Sequence, residues 1–116
     1  MKLDIRTQGI ELTERLRSHV ERHLRYALTR FGPRMRRVSV QLRDVNGPRG
    51  GRDIECKVLV ELTTRETLVL TDTHDTAYAA VANASGRVAF AISRRLGRAQ
   101  ARWRNRRAVE PIPAEA

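Results

Sequence analysis

The residues of this chain that can do chemistry fall into a few small groups and one large one. His19 and His23 are four apart, a spacing that puts two imidazoles on one helix face and can hold a metal ion. Val20, Glu21 and Arg22 lie between them, however. That is not the metalloprotease pattern, and no third ligand is evident, so the pair reads as ordinary helix-surface histidines. Asp72, His74 and Asp75 offer an acid–base combination, but polar residues ahead of an amphipathic run more commonly cap the coming helix. Ser85 and Ser93 are in no nucleophile-elbow setting and have no base at motif spacing. The stretch Asn46-Gly47-Pro48-Arg49-Gly50-Gly51 can present backbone amides to a phosphate, with Arg49 and Arg52 beside it. It lacks the Gly-Lys-Ser/Thr ending of a phosphate-binding loop and reads as a turn between strands. No catalytic residues, metal site or cofactor are therefore expected, and no small-molecule substrate.

The large group is cationic. From Asp75 to Arg107 there are eight arginines, and between Thr76 and Val109 no acidic residue. Ala77, Val81, Ala84, Val88, Ile92, Leu96 and Ala99 recur with the spacing of one buried helical face. At about 100° per residue, Arg87, Arg94 and Arg98 fall in a narrow window roughly 120° from that face. Arg95 follows directly, and Arg102 opens the run Arg102-Trp103-Arg104-Asn105-Arg106-Arg107. Trp103 has two readings, a stacking ring for a base or a residue packed under the helix end. Like charges with no acid between them repel along a helix. Such a row suits a surface that meets an extended polyanion.

These residues need a platform, and the rest of the chain supplies one. Leu3, Ile5 and Thr7 alternate with Lys2, Asp4 and Arg6, which predicts a half-buried strand ended by Gln8-Gly9. Thr13 caps a helix in which Leu16, Val20, Leu24, Ala27 and Phe31 face inward, and Gly32-Pro33 stops it. On the outer side Arg15, Arg22 and Tyr26 cluster within about 40°, with Arg25 further round. This second cationic face is diluted by Glu14 and Glu21. Val38, Val40 and Leu42 mark a second strand, Asp53 to Leu62 a third, and Thr67 to Thr71 a short fourth. Asp72 or Asp75 is expected to cap the second helix.

The order is β-α-β-β-β-α, an α+β two-layer sandwich whose four-stranded sheet buries one face under both helices and leaves the other wet. Gly86 and Gly97 each weaken the second helix by roughly 1 kcal/mol. The residues leave open whether it ends at Gly97, with 98–107 a flexible basic arm, or continues. The segment 108–116, punctuated by Pro111 and Pro113, is expected to be a disordered tail.

Bulk composition agrees. The 116 residues make one domain with a single core. With only five aromatics that core is aliphatic, and a base-stacking platform of several rings is not expected. A net charge of +10 points to nucleic acid or another anionic surface. Of the 23 cations 21 are arginine, a preference that codon bias can explain, but bias does not create the excess over 13 acids. The lone Cys56 excludes an intramolecular disulfide and fits a reducing cytoplasm. No apolar leader or membrane-length apolar run is present.

Three segments carry a family resemblance: the opening strand followed by Ile10-Glu11-Leu12-Thr13, the helix with His19-Val20-Glu21, and Tyr78-Ala79-Ala80-Val81 at the start of the last helix. Together with the alternating second strand, they resemble the ribosome hibernation factors: hibernation-promoting factor, ribosome-associated inhibitor A and the sigma-54 modulation proteins. The resemblance covers about residues 1–107, and the Asn46–Gly51 loop followed by Cys56 looks like a short proteobacterial branch. It implies a fold similar to a double-stranded RNA-binding domain that occupies the mRNA and tRNA channel of the small ribosomal subunit and silences idle ribosomes. It implies rRNA contacts from Arg22 and Arg25 on the first helix and Arg87, Arg94, Arg95 and Arg98 on the second. His23 and Tyr26 stand where first-helix cations of the family would align, with arginines shifted by one. Ribosome pairing is not expected, because no second, C-terminal domain follows. The implied partner is small-subunit rRNA, met by a cytoplasmic protein that is monomeric when free. A general RNA- or DNA-binding module using the same helices is the competing reading, and a small hydrolase or metal protein a third.

Overall fold

In the computed structural model, residues 2–45 and 53–109 are described, the last twelve of these by backbone alone. The chain runs β1 (Lys2–Gln8), α1 (Glu14–Leu28), a 3-10 stretch (Thr29–Arg34), β2 (Met35–Asp44), β3 (Ile54–Leu62), β4 (Thr67–His74) and α2 (Ala77–Val109). The strands form one sheet in the order β1-β2-β3-β4. β1 and β2 are parallel, as the α1 crossover requires, and the other pairs are antiparallel.

Register converts the sequence alternation into a single apolar face. Ile5, Val40, Val58 and Leu70 are directly paired across the sheet, as are Leu3, Val38, Val60 and Leu68. These rows join one buried cluster with Leu16, Val20, Leu24 and Leu28 of α1 and Ala80, Val81, Ala84, Val88 and Ile92 of α2. Both helices therefore lie on the same sheet face, giving the expected α+β two-layer arrangement. Burying that many aliphatic side chains supplies most of the drive to fold, at about 25 cal/mol per Å² of apolar surface removed from water.

Several boundaries differ from expectation. α1 ends at Leu28, and the inward-facing Phe31 belongs to a 3-10 stretch that holds Gly32 at φ 12°, ψ −97°, before Pro33. β4 runs three residues beyond Thr71, because Asp72 and His74 keep pairing with Cys56 and Ile54. Neither Asp72 nor Asp75 caps α2. The cap is Thr76, whose Oγ1 accepts from Ala79 N at 3.1 Å, the same arrangement by which Thr13 Oγ1 accepts from Leu16 N at the start of α1. Asp72 is already committed to the edge strand and unavailable as a cap. α2 passes through Gly97 and ends at Val109, so the segment 98–107 read as a possible arm is helical backbone. The 46–52 loop with Arg49 and Arg52, and the 110–116 tail, lie outside the described residues. Gly9, at φ 73°, makes the turn that leaves β1, a conformation an L side chain adopts only with strain.

Candidate nucleic-acid interface

Charge is sorted between the two faces of the sandwich. On the wet sheet face each acid is matched: Arg6 with Asp4 at 3.4 Å, Arg37 with Glu61 at 3.9 Å, and Arg43 with Glu55 at 3.3 Å. On the helix side Arg15, Arg22, Arg25 and Arg94 are exposed and form no ion pair among the described residues. Lys2 and Lys57 on the wet face also form no ion pair among the described residues, but the larger group of unpaired cations lies on the helical layer, where the sequence put the candidate contacts.

Within α1, Arg15, Arg22, Arg25 and Tyr26 all point to solvent, and Tyr26 is 90% exposed. This follows from the buried Leu16-Val20-Leu24-Leu28 stripe, which turns the other side of the helix outward. Tyr26 and His23 line a shallow groove between the helices, with Ala27 and Arg30 on their side and Ala82, Ser85, Gly86 and Ala89 on the side of α2. The small residues of α2 are what keep this groove open.

Arg87, Arg94 and Arg95 face the other way. They border a second groove between α2 and β4, over Leu68, Leu70, Gly86, Phe90 and Ala91. The two cationic rows therefore do not oppose each other across one cleft. They flank an outward strip of small residues on α2, with Gly86 lining both grooves. Two of the three are also tied down: Arg87 to the edge strand, 3.5 Å from Asp72 Oδ2 and 3.4 Å from Thr71 O, and Arg95 to Glu66 in the turn between β3 and β4. Arg94 instead sits over the Phe90 ring, 5.8 Å from its centroid. Phe90 was not singled out by sequence reasoning, yet it is 63% exposed in the middle of the arginines. Its signal was legible: an aromatic roughly 160° from Val88 lies outside the buried stripe. Arg98 and Arg102 belong to the stretch given by backbone alone, so only their position on α2 is established.

The histidines and the acidic cluster have structural roles. His19 Nε2 lies 3.0 Å from Tyr78 O, its ring meets Tyr78 edge-on at 4.8 Å, and His23 packs against it at 4.3 Å. Together they join α1 to the first turn of α2. Burial, then the neighbouring His19 and Arg22, lower the His23 pKa from its usual 6.5. Asp72 contacts His74 at 3.4 Å, His74 contacts Asn83 at 2.9 Å, and Asp75 takes no part. Cys56 is fully buried beside them, its thiol pushed up to about 12 by burial, then by Asp72 and Glu55, which leaves it unreactive. No group of three or more metal-ligating side chains occurs among the described residues, and no helix there is long and apolar enough to cross a membrane.

Comparison with known proteins gives a consistent answer. The family model described as sigma 54 modulation protein / S30EA ribosomal protein matches residues 3–100. The fold is similar to the N-terminal domain of Protein Y from Thermus thermophilus, with 20% identity and a TM-score of 0.66 over 81% of this chain and 98% of that one. It is also similar to a ribosomal subunit interface protein from Coxiella burnetii, with 16% identity and a TM-score of 0.69 over 84% of this chain and 99% of that one. At such identities the likeness establishes the fold. No curated protein matches the chain.

Proposed function

The chain belongs to the sigma-54 modulation / S30EA ribosomal protein family, and from that premise we propose that it is a ribosome hibernation factor. In this reading it binds the rRNA of the small subunit within the mRNA and tRNA channel of idle ribosomes. The observation that carries the proposal is the charge sorting. Acids and arginines neutralise each other on the sheet face, while the helical layer keeps Arg15, Arg22, Arg25 and Arg94 without carboxylate partners. A polyanion is the ligand such a cationic face attracts, with Glu14 and Glu21 on α1 the acids that oppose it.

The mechanism is occlusion and involves no bond-making. Arginine forks match phosphate oxygens in pairs, and cations carried on two packed helices recognise the backbone shape of a folded RNA more than its base edges. Arg87 and Arg95, already ion-paired, exchange or share their carboxylates with phosphate. The α1 arginines and Arg94 engage directly. With about six phosphates neutralised, log affinity falls with log salt at a slope of roughly −4 to −5. A domain seated in this way leaves no room for mRNA or tRNA and acts in the cytoplasm on ribosomes that are not translating.

Sedimentation tests the reading. Mixed with purified small subunits at low salt, the protein is expected to move with them through a sucrose gradient and to inhibit translation in vitro. Remaining at the top of the gradient would overturn this function, and binding random duplex RNA and DNA as tightly as ribosomes would replace it with that of a general nucleic-acid module.

A further inference from the structure

One phenylalanine stands on the solvent side of the cationic helix α2, among arginines and beside an apolar groove. Phe90 lies nearly opposite the buried stripe of α2, and it is 63% exposed although two packed layers are available to bury it. It stands in the α2–β4 groove, whose floor is Leu68 and Leu70 and whose rim is Arg87, Arg94 and Arg95. The Arg94 guanidinium already rests over one part of the ring, 5.8 Å from the centroid, within the range of a cation–π contact.

We propose that Phe90 and Arg94 form a stacking site for one unpaired RNA base, with the phosphates on either side of that base held by the arginine rim. An aromatic face, an apolar floor and guanidinium groups within one shallow groove match the two halves of a nucleotide, a flat π-surface and an adjacent anion. Charge complementarity selects this occupant. An acidic protein segment would satisfy the same arginines, but it has no flat π-surface for a ring that projects to solvent. The inference rests on the RNA-binding reading and sharpens it. Beside a surface that reads backbone shape, it adds one position that requires an unstacked nucleotide, and thereby a preference for loops, bulges or single strands over continuous duplex.

The test uses the full chain and three variants. Phe90→Ala is expected to weaken binding to small subunits by about 5- to 150-fold, the range for losing one base-aromatic stack. Its salt slope should be unchanged, because no phosphate contact is lost. Phe90→Trp should bind as wild type, and Phe90→Leu, which keeps the apolar bulk without the π-face, should bind like the alanine variant. Irradiating the wild-type protein with a single-stranded oligoribonucleotide at the wavelength absorbed by bases should cross-link the peptide carrying Phe90, and an equivalent duplex should not. Full binding by Phe90→Leu would assign the groove to an apolar protein segment and overturn the proposal. So would unchanged binding by Phe90→Ala, or cross-links confined to other peptides. A wild-type protein that cross-links at Phe90 yet does not bind ribosomes would uphold the stacking site and remove the ribosomal function.

Discussion

Arg87 Nη1 stands 3.5 Å from Asp72 Oδ2, so the first arginine of the α2 row holds the edge strand as well as facing solvent. The carboxylate is largely sheltered, with 15% of its side chain exposed against 58% for the arginine, and the N–H of Thr73 donates to its other oxygen at 3.0 Å. A half-exposed pair of this kind contributes under about 1 kcal/mol to folding, yet it withholds part of a cation from any polyanion. Asp72→Asn is therefore expected to cost at most about 1 kcal/mol in stability, while strengthening RNA binding and steepening its salt dependence. Thermal melts and binding across a salt series measure both. Weaker binding by this variant would show that Asp72 positions Arg87 and does not compete for it.

The unpaired arginines make the opposite prediction. Arg22 on α1 and Arg94 on α2 are exposed and without ion pairs among the described residues. Their reversal to glutamate should leave the melting temperature within a few degrees of wild type, as for surface substitutions away from buried features. Each reversal removes one phosphate contact and adds a repulsive charge, weakening ribosome binding by about tenfold or more. Because they are on separate helices, the effects should multiply in the double variant if one RNA engages both, as independent sites do. If Arg22→Glu leaves the affinity unchanged, α1 is not part of the interface.

The strands were legible because each alternates cleanly: Val38, Val40 and Leu42, and Cys56, Val58, Val60 and Leu62, are all buried. Thr13 was legible as a cap for the same local reason. The start of α2 was not. An aspartate a few residues ahead of an apolar run looks like a cap, and only the pairing of Asp72 with Cys56 across β3 and β4 shows it to be spoken for. The arginines were legible as a helical row, but their division by α2 into one set beside β4 and one on α1 depends on helix packing that composition does not encode. Phe90 carried a periodicity signal. It is easily passed over, because an isolated exposed apolar residue acquires meaning only from the neighbours the fold gives it.

His23 gives stability a pH dependence whose sign is fixed. Its pKa in the folded protein lies below the ordinary 6.5, through burial and then the charges of His19 and Arg22, so the unfolded chain binds the proton more readily. Stability is then greatest above about pH 6.5 and declines as the pH falls through that value, levelling once the folded protein is protonated too. His23→Gln should shrink the difference between melting temperatures at pH 7.5 and 5.5 relative to wild type. An undiminished difference would place the titrating group elsewhere.

Gly86 separates folding from binding at a single atom. A methyl group built there meets nothing within 4 Å, and the residue lies inside α2, so alanine relieves a helix-propensity cost of about 1 kcal/mol without a clash. Gly86→Ala is accordingly expected to raise the melting temperature by a few degrees. The same position lines both the groove toward α1 and the groove toward β4. A backbone strand of RNA running from the α1 arginines to Phe90 must cross it closely, so the added methyl group should weaken ribosome binding while it stabilises the fold. Gly97→Ala, which also meets nothing within 4 Å but borders neither groove, is the control: it should gain stability without losing affinity. Equal affinity for both variants would mean that the RNA bridges the two helices along another path.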